Sequence, residues 1–468
     1  MVRAGRRKIR GGAQVKLILL SGGSGKRLWP LSNDARSKQF LRVLDDGQGR
    51  KESMVQRIWR QLGEAGLDGD AYVAASRAQS EMLEFQLGQG IRVIVEPERR
   101  DTFPAIALSV LYLIEHEKAD PDETVLVMPV DSYVEQAYFM LFGKLDKLIQ
   151  SSLADIGLIG AKPASPSEKY GYILPGVRLD FDAFAVERFV EKPKSEEARR
   201  LIDEHGALWN CGVFAFRPRY LLDVLAGRQY PVRYTELQER YGGLPVISFD
   251  YEVVEQADRV GVVPYNGEWK DLGTWNTLTE ELTEPVIGNA VLDDQSRGSH
   301  VINELSLPVK VLGIPNAVVA VCPDGVLVAD KAATPRLKEL LDDGPGRPMY
   351  EERRWGWTRV LDFMTNEKGW EVLTKRICVQ AGRSLRYQTH HRRSEIWTII
   401  SGAGEVVLDG AIRSVGPGDV VVIRPGVKHA LRAFTPVELI EVQMGEVLVE
   451  EDIIREDFAW PPAPPPNS

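Results

Sequence analysis

The sequence predicts an α/β chain in three parts: an open sheet wrapped by helices, a β-rich connector, and a small antiparallel barrel or jelly roll. Three observations carry that expectation. From residue 15 to about 280, short apolar runs alternate with longer segments of helical period. Between 286 and 345 the pieces shorten, as in AVVAVCPDGVLVAD, with Gly and Pro at turns and no long helical pattern before RLKELL. From 346 onward strands alternate with Gly-rich turns, as in EVLTKRICV, EIWTIISGAGEVVLDG, DVVVIRPG and VELIEVQ.

In the first part the expected strands are VKLILL (15–20), AYVAAS (71–76), IRVIVE (91–96), TVLVMPV (124–130), IGLIGA (156–161), AVERFVE (185–191) and CGVFAF (211–216). Their alternation with helical segments reads as a parallel sheet, and such sheets carry function at the carboxyl ends of their strands. With 468 residues the chain exceeds one ordinary core. The expected boundaries are a basic tail over 1–14, a first domain over 15–285, a connector over 286–345, the barrel over 346–460 and a Pro-rich tail over 461–468.

Apolar residues at 44% and charged ones at 27% are the balance of a folded globular protein, which excludes disordered and fibrous classes. A net charge of -9 argues against nucleic acid as a partner, because phosphate-backbone binding needs a basic surface. Cys211, Cys322 and Cys378 are few, scattered and odd in number, the usage of a reducing compartment, so the cytoplasm is expected. No run approaches the ~20 apolar residues that a membrane span needs, so no membrane is expected as a partner.

Directly after the first strand stands Ser21-Gly22-Gly23-Ser24-Gly25-Lys26-Arg27-Leu28. Glycines permit positive φ and close backbone approach, so Gly22, Gly23, Ser24 and Gly25 can turn successive N–H groups onto phosphate oxygens while Lys26 and Arg27 add charge. The pattern is neither GxxxxGK[ST] nor GxGxxG, and the glycines alone fit an ordinary turn equally well. Asp131 ends an apolar strand, where it can serve as a hard ligand for Mg²⁺ or as a helix N-cap.

The extended run GGSGKRLWPLS followed by SKQFL resembles the mannose-1-phosphate guanylyltransferase family of the nucleotide-diphospho-sugar transferase superfamily. Further matches follow in order: EPERRDTFPAIAL (96–108), MPVDSYV (128–134), KYGYI (169–173), FVEKP (189–193), WNCGVFAF (209–216) and WKDLGTW (269–275). The resemblance implies a Rossmann-like domain that joins mannose 1-phosphate to the guanylyl group of GTP and releases pyrophosphate. It implies a catalytic set of Arg27, Lys38, Asp131 and Asp271, with the two aspartates holding Mg²⁺ and the two cations facing the triphosphate. Lys192 would receive the sugar phosphate, and Gly171, Glu191 and Asn210 would contact sugar hydroxyls. Ser132 stands where the family has His, Asp101 where it has Asn, and Ser37 where it has Pro. Those departures leave open another sugar 1-phosphate or nucleoside triphosphate, and a nucleotide-sugar-binding regulatory protein without turnover.

The third part holds three of the six histidines, His390, His391 and His429, with Glu395 nearby. Imidazoles and a carboxylate projecting into a barrel can bind a divalent transition metal. The block RYQTHHRRSEIW, with GPGDVVVIRPGVKHA and ELIEVQMGE, resembles a cupin, and specifically the type II phosphomannose isomerase domain fused behind this transferase. By that resemblance Gln388, His390, Glu395 and His429 would make a four-ligand site. Arg392 and Ile396 replace two family histidines, and His391 falls one residue out of register, facing the other side of a strand. An isomerase interconverting fructose 6-phosphate and mannose 6-phosphate and a structural or oligomerising barrel both stay open, as does a homo-oligomer.

Overall fold

A computed structural model describes residues 15–23, 26–33, 35–341 and 347–462. The basic tail and the end of the Pro-rich tail lie outside the described residues. Chain contacts separate two compact units, one built on residues up to 302 with 309–319 and 327–340, the other on 303–308, 320–326 and the region from 341 onward.

The first unit is organised by a nine-stranded sheet in the order Val93–Glu96, Ala71–Ser76, Lys16–Leu20, Val125–Pro129, Leu208–Phe216, Ile156–Ala161, Val260–Tyr265, Phe184–Val190, Tyr172–Arg178. Every strand expected from the sequence is present. The sheet is mixed rather than parallel: Leu208–Phe216 runs antiparallel to both Val125–Pro129 and Ile156–Ala161. An apolar run buried on both faces reads the same in either direction, so its periodicity carries no sense of polarity. Tyr172–Arg178 and Val260–Tyr265 escaped the sequence reading because Pro175 and Pro264 interrupt their apolar runs.

Alternation along the first strand builds a core on each face. Leu17 and Leu19 pack with Val55, Ile58 and Leu145, whereas Ile18 and Leu20 pack with Phe103, Ile106 and Phe214. Among the described residues three helices are started by capping boxes, Ser53 with Gln56 before Met54–Ala65, Ser76 with Gln79 before Arg77–Leu87 and Thr274 with Thr277 before Trp275–Glu280. Short parallel pairs follow the sheet domain: Val286 beside Val301, and Ala290–Leu292 beside Val309–Val311. All of RLKELL but its last leucine lies in a 3-10 helix, Lys331–Leu340, with Pro335 inside it.

The second unit is a cupin-type jelly roll of a six-stranded and a five-stranded sheet. Ile377, Trp397, Ile423 and Leu439 of the larger sheet share one core with Val406, Leu431 and Ala433 of the smaller. Strand Val437–Gly445 alternates buried and half-buried residues throughout, and this places Glu441 and Gln443 on the same inward face as Leu439.

Among the described residues no helix is long and apolar enough to cross a membrane. The three cysteines are buried and none is in a disulfide.

Candidate active site

Strand Val125–Pro129 delivers Asp131 at its carboxyl end, and the following strand, Ser132–Val134, pairs antiparallel with Trp269–Asp271. This pairing sets Asp271 opposite Ser132 and brings the two aspartates together. A strand, not a helix, follows Asp131, so the N-cap alternative falls away. Ser132 itself is buried, at 4% exposure.

Lys38 closes the group. Its Nζ lies 2.9 Å from Asp131 Oδ2 and also pairs with Asp271 Oδ1. Burial alone would lower the Lys38 pKa, but the charges of Asp131 and Asp271 raise it above the usual lysine value. Gly273 makes room, since an added Cβ would sit 2.9 Å from Asp271 Oδ1 and 3.1 Å from Lys38 Nζ.

The 3-10 turn Lys38–Phe40 is clamped by three glutamines. Gln79 Oε1 completes its capping box while its Nε2 donates to Ser37 Oγ at 3.2 Å. Thus the serine that replaces the family proline has a hydrogen-bonding role. Gln86 Nε2 donates to Phe40 O at 3.0 Å. Gln39, fully buried, donates to Ser21 Oγ at 3.2 Å and ties the turn to the glycine loop.

In that loop Gly23 has φ of +99°, a conformation that favours glycine, although open space surrounds its α-carbon. Ser24 and Gly25 lie outside the described residues. Lys26 is half-buried and Arg27 exposed on the short turn Lys26–Leu28. Trp275 Nε1 donates to Trp29 O at 3.3 Å and anchors the far end of the loop.

Asp131 and Asp271 also line an open cleft of about 220 Å³, together with Gly171, Glu191, Lys192 and Asn210. The structure therefore gathers the proposed metal carboxylates and the proposed sugar-phosphate residues around one space. Arg27 and Lys38 both act electrostatically on Tyr170, a cleft residue whose hydroxyl is pushed up to about 12 by burial and by Asp271.

Elsewhere on the cleft lining, strand Phe184–Val190 hands over to Glu191 and Lys192, whose side chains pair with each other. Lys192 has φ of +46°, a costly conformation for a residue with a side chain, held just before Pro193. Gly171 is fixed by space: a Cβ there would lie 2.5 Å from Glu191 Oε2. Asn210 N donates to Gly171 O at 2.8 Å, and Asn210 Oδ1 accepts from Gly212 N at 3.1 Å.

One cleft residue had no motif to announce it. Asp250 accepts from Asn210 Nδ2 at 2.7 Å, and burial, with the neighbouring Glu191 charge, pushes its carboxyl up to about 7. It lies in FDYE, a four-residue helical turn too short for sequence periodicity to give a warning.

The barrel contains a second polar centre. His390, Glu395 and His429 are each at most 2% exposed, and their ligand atoms lie within 4.8 Å of one another. Gln388 Nε2 is 3.5 Å from His390 Nε2, so all four expected residues converge. His391 is exposed, with its backbone bonded to Asp452.

His429 Nδ1 lies 3.0 Å from Val427 O, which fits an Nδ1–H donor and leaves a lone pair on Nε2. That atom faces Glu395 Oε2 at 3.5 Å, and neither has a hydrogen-bond partner. Two buried acceptors so placed suit a cation between them.

The alternation of VELIEVQ could have revealed the groups around this centre. Gln443 Nε2 donates at 3.0 Å to both Glu395 Oε1 and Glu441 Oε2, and Trp397 Nε1 donates to Glu441 Oε1 at 3.0 Å. Burial and the nearby Glu395 charge push Glu441 up to about 7. Arg393, 5% exposed, donates from Nε to Glu395 Oε1 at 3.1 Å.

Known proteins match this architecture in both parts. The nucleotidyl transferase family model matches residues 16–284, and the mannose-6-phosphate isomerase C-terminal model matches 349–457. The xanthan biosynthesis protein XanB of Xanthomonas campestris is 32% identical over 94% of this chain and 97% of its own length. Mannose-1-phosphate guanylyltransferase of Escherichia coli is 29% identical over 95% of this chain and 98% of its own. The solved structure named mannose-1-phosphate geranyltransferase, from Thermus thermophilus, is 31% identical, with a TM-score of 0.60 over 70% of this chain and 98% of that one. With a shared cleft and matches along nearly its whole length, the chain belongs to the mannose-1-phosphate guanylyltransferase family, in the form that carries a C-terminal mannose-6-phosphate isomerase domain.

Proposed function

We propose that the cleft transfers the guanylyl group of GTP to mannose 1-phosphate, making GDP-mannose and pyrophosphate in the cytoplasm for polysaccharide synthesis. The observation that carries this reading is the convergence of Lys38 with Asp131 and Asp271, two carboxylates that line one cleft together with Lys192, Glu191 and Asn210. A phosphate oxygen of the sugar attacks the α-phosphorus of GTP, a new P–O bond forms, and the bond to the β-phosphate oxygen breaks. Both reactants are anions, so neutralisation and alignment are the main work of the protein.

Asp131 and Asp271 would hold Mg²⁺, a fit supported by two carboxylates that already converge on a cation, the Lys38 ammonium. Bound there, the metal supplies charge neutralisation at the reacting phosphate oxygens. Arg27, Lys26 and the N–H groups of the glycine loop bind the triphosphate, and Lys38 adds fixed charge at the transfer point. Lys192 holds the sugar phosphate, while Gly171, Glu191 and Asn210 orient the hexose. In this assignment the transferase occupies 15–285, the connector 286–345 and the cupin-like domain 346–460. Separation of the products of GTP and mannose 1-phosphate tests it, with GDP-mannose expected and unchanged substrates the contrary result.

In the barrel, the buried acceptors of His390, Glu395 and His429, with Gln388, suit a divalent transition metal. The isomerase-domain match makes mannose 6-phosphate the substrate to test there. Conversion to fructose 6-phosphate by metal-loaded protein supports an active barrel, and metal binding without conversion supports a structural one.

A further inference from the structure

The sugar end of the cleft contains one more acidic side chain than the sequence motifs account for. Asp250 lines the same space as Glu191, Lys192 and Asn210, but it arrives from a different element, the turn Phe249–Glu252. Its Oδ1 accepts from Asn210 Nδ2 at 2.7 Å, while Asn210 Oδ1 accepts from Gly212 N at 3.1 Å. Both ends of the Asn210 carboxamide are therefore committed, and Asp250 fixes which way it faces. Asp250 also lines the cleft itself, within reach of a ligand bound there.

The groups that face Asp250 are Glu191 and Lys192 at the end of one strand and Asn210 on another, with Tyr251 adjacent in its own turn. Glu255 adds further negative charge toward Glu191. Two carboxyl groups beside one another suit a polyol when one is neutral and the other ionised, because the pair then offers a donor and an acceptor to adjacent hydroxyls.

We propose that Asp250 is a specificity-determining residue of the sugar pocket, pairing with Glu191 to read adjacent hydroxyls of a hexose 1-phosphate and holding Asn210 in its reading orientation. This rests on the assignment of the cleft to sugar-phosphate binding. A buried carboxyl raised to about 7 fits the role, since near neutral pH it can still donate a hydrogen bond to the sugar. On ionising, it brings a second negative charge next to Glu191 and toward an anionic substrate.

Steady-state kinetics with mannose 1-phosphate and its 2-, 3- and 4-deoxy analogues, on wild type, Asp250→Ala and Asp250→Asn, test the proposal. Wild-type turnover of mannose 1-phosphate comes first, and its absence overturns the underlying assignment. Given turnover, Asp250→Ala is expected to raise KM for mannose 1-phosphate about tenfold or more and to leave KM for GTP within about twofold, the cost of one lost buried hydrogen bond to substrate. One deoxy analogue that is poor for wild type should be no poorer than mannose 1-phosphate for this variant. Asp250→Asn keeps an acceptor for Asn210 and a neutral donor, so its KM for the sugar should lack the rise from pH 6 to 8 expected of wild type. Unchanged sugar KM and undiminished discrimination in Asp250→Ala, or parallel pH profiles for wild type and Asp250→Asn, overturn the proposal.

Discussion

Lys38 Nζ sits 2.9 Å from Asp131 Oδ2 and pairs at the same time with Asp271, so one ammonium joins two carboxylates brought together by a strand pair. Removing either carboxylate would leave Lys38 with one of its two partners and, in the proposed assignment, unbalance the charge where the guanylyl group is transferred. Asp131→Asn and Asp271→Asn are each expected to lower kcat by about 10²-fold or more with little change in melting temperature. Rates near wild type in either variant would take that aspartate out of the metal site.

In the proposed assignment Lys192 has a different role, because it would meet only the sugar phosphate. Lys192→Ala should raise KM for mannose 1-phosphate by about 10–100-fold, the range for a lost charge-assisted bond, and change KM for GTP far less. Equal effects on both substrates would argue against a separate sugar-phosphate site.

Gly171 gives a steric version of the same test. A methyl group there meets Glu191 Oε2 at 2.5 Å and Phe189 Cζ at 2.8 Å, so Gly171→Ala must displace Glu191 or shift the strand. We expect weaker sugar binding and a stability loss of about 1–3 kcal/mol, typical of overpacking, measured by denaturant titration. Unaltered sugar KM would show that Glu191 does not need its present position.

Asp250 also predicts a pH dependence of stability. Its carboxyl rises from an ordinary 3.8 to about 7 in the folded protein through burial and Glu191, so between those values the folded state keeps a proton that the unfolded chain releases. Its contribution to stability is therefore complete below about pH 4 and lost as pH rises through about 7. Asp250→Asn should melt progressively higher relative to wild type from pH 5 to 8. A constant difference across that range would contradict the raised value.

In the barrel, Gln443 holds Glu395 by donating to Oε1, leaving Oε2 beside His429. Gln443→Leu should weaken retention of a divalent transition metal by about 10–100-fold, as loss of a ligand-orienting bond does, measured by metal analysis after dialysis. His429→Ala should remove the metal altogether. Full retention in both would exclude this cluster as the binding site.

Much of the candidate site's placement was legible because its residues sit beside strands with strong apolar patterns. Asp131, Lys192 and Asn210 each lie in or just after such a run, and the surrounding motifs fixed their register. Strand direction was not legible, because Leu208–Phe216 looks the same parallel or antiparallel. Asp250 was hidden because its importance comes from a contact 40 residues away in sequence, with Asn210. Glu441 and Gln443 were visible in principle, as the inward half of an alternating strand, but polar residues at inward positions count as core positions only once the facing sheet is known.

The most direct measurement is pyrophosphate release by the purified full-length chain with Mg²⁺, testing GTP, ATP, UTP and dTTP each against mannose 1-phosphate and glucose 1-phosphate. We predict release with GTP and mannose 1-phosphate at a rate well above every other pair. Release with a different pair as the preferred one, or none from folded protein that binds GTP, would contradict the assignment.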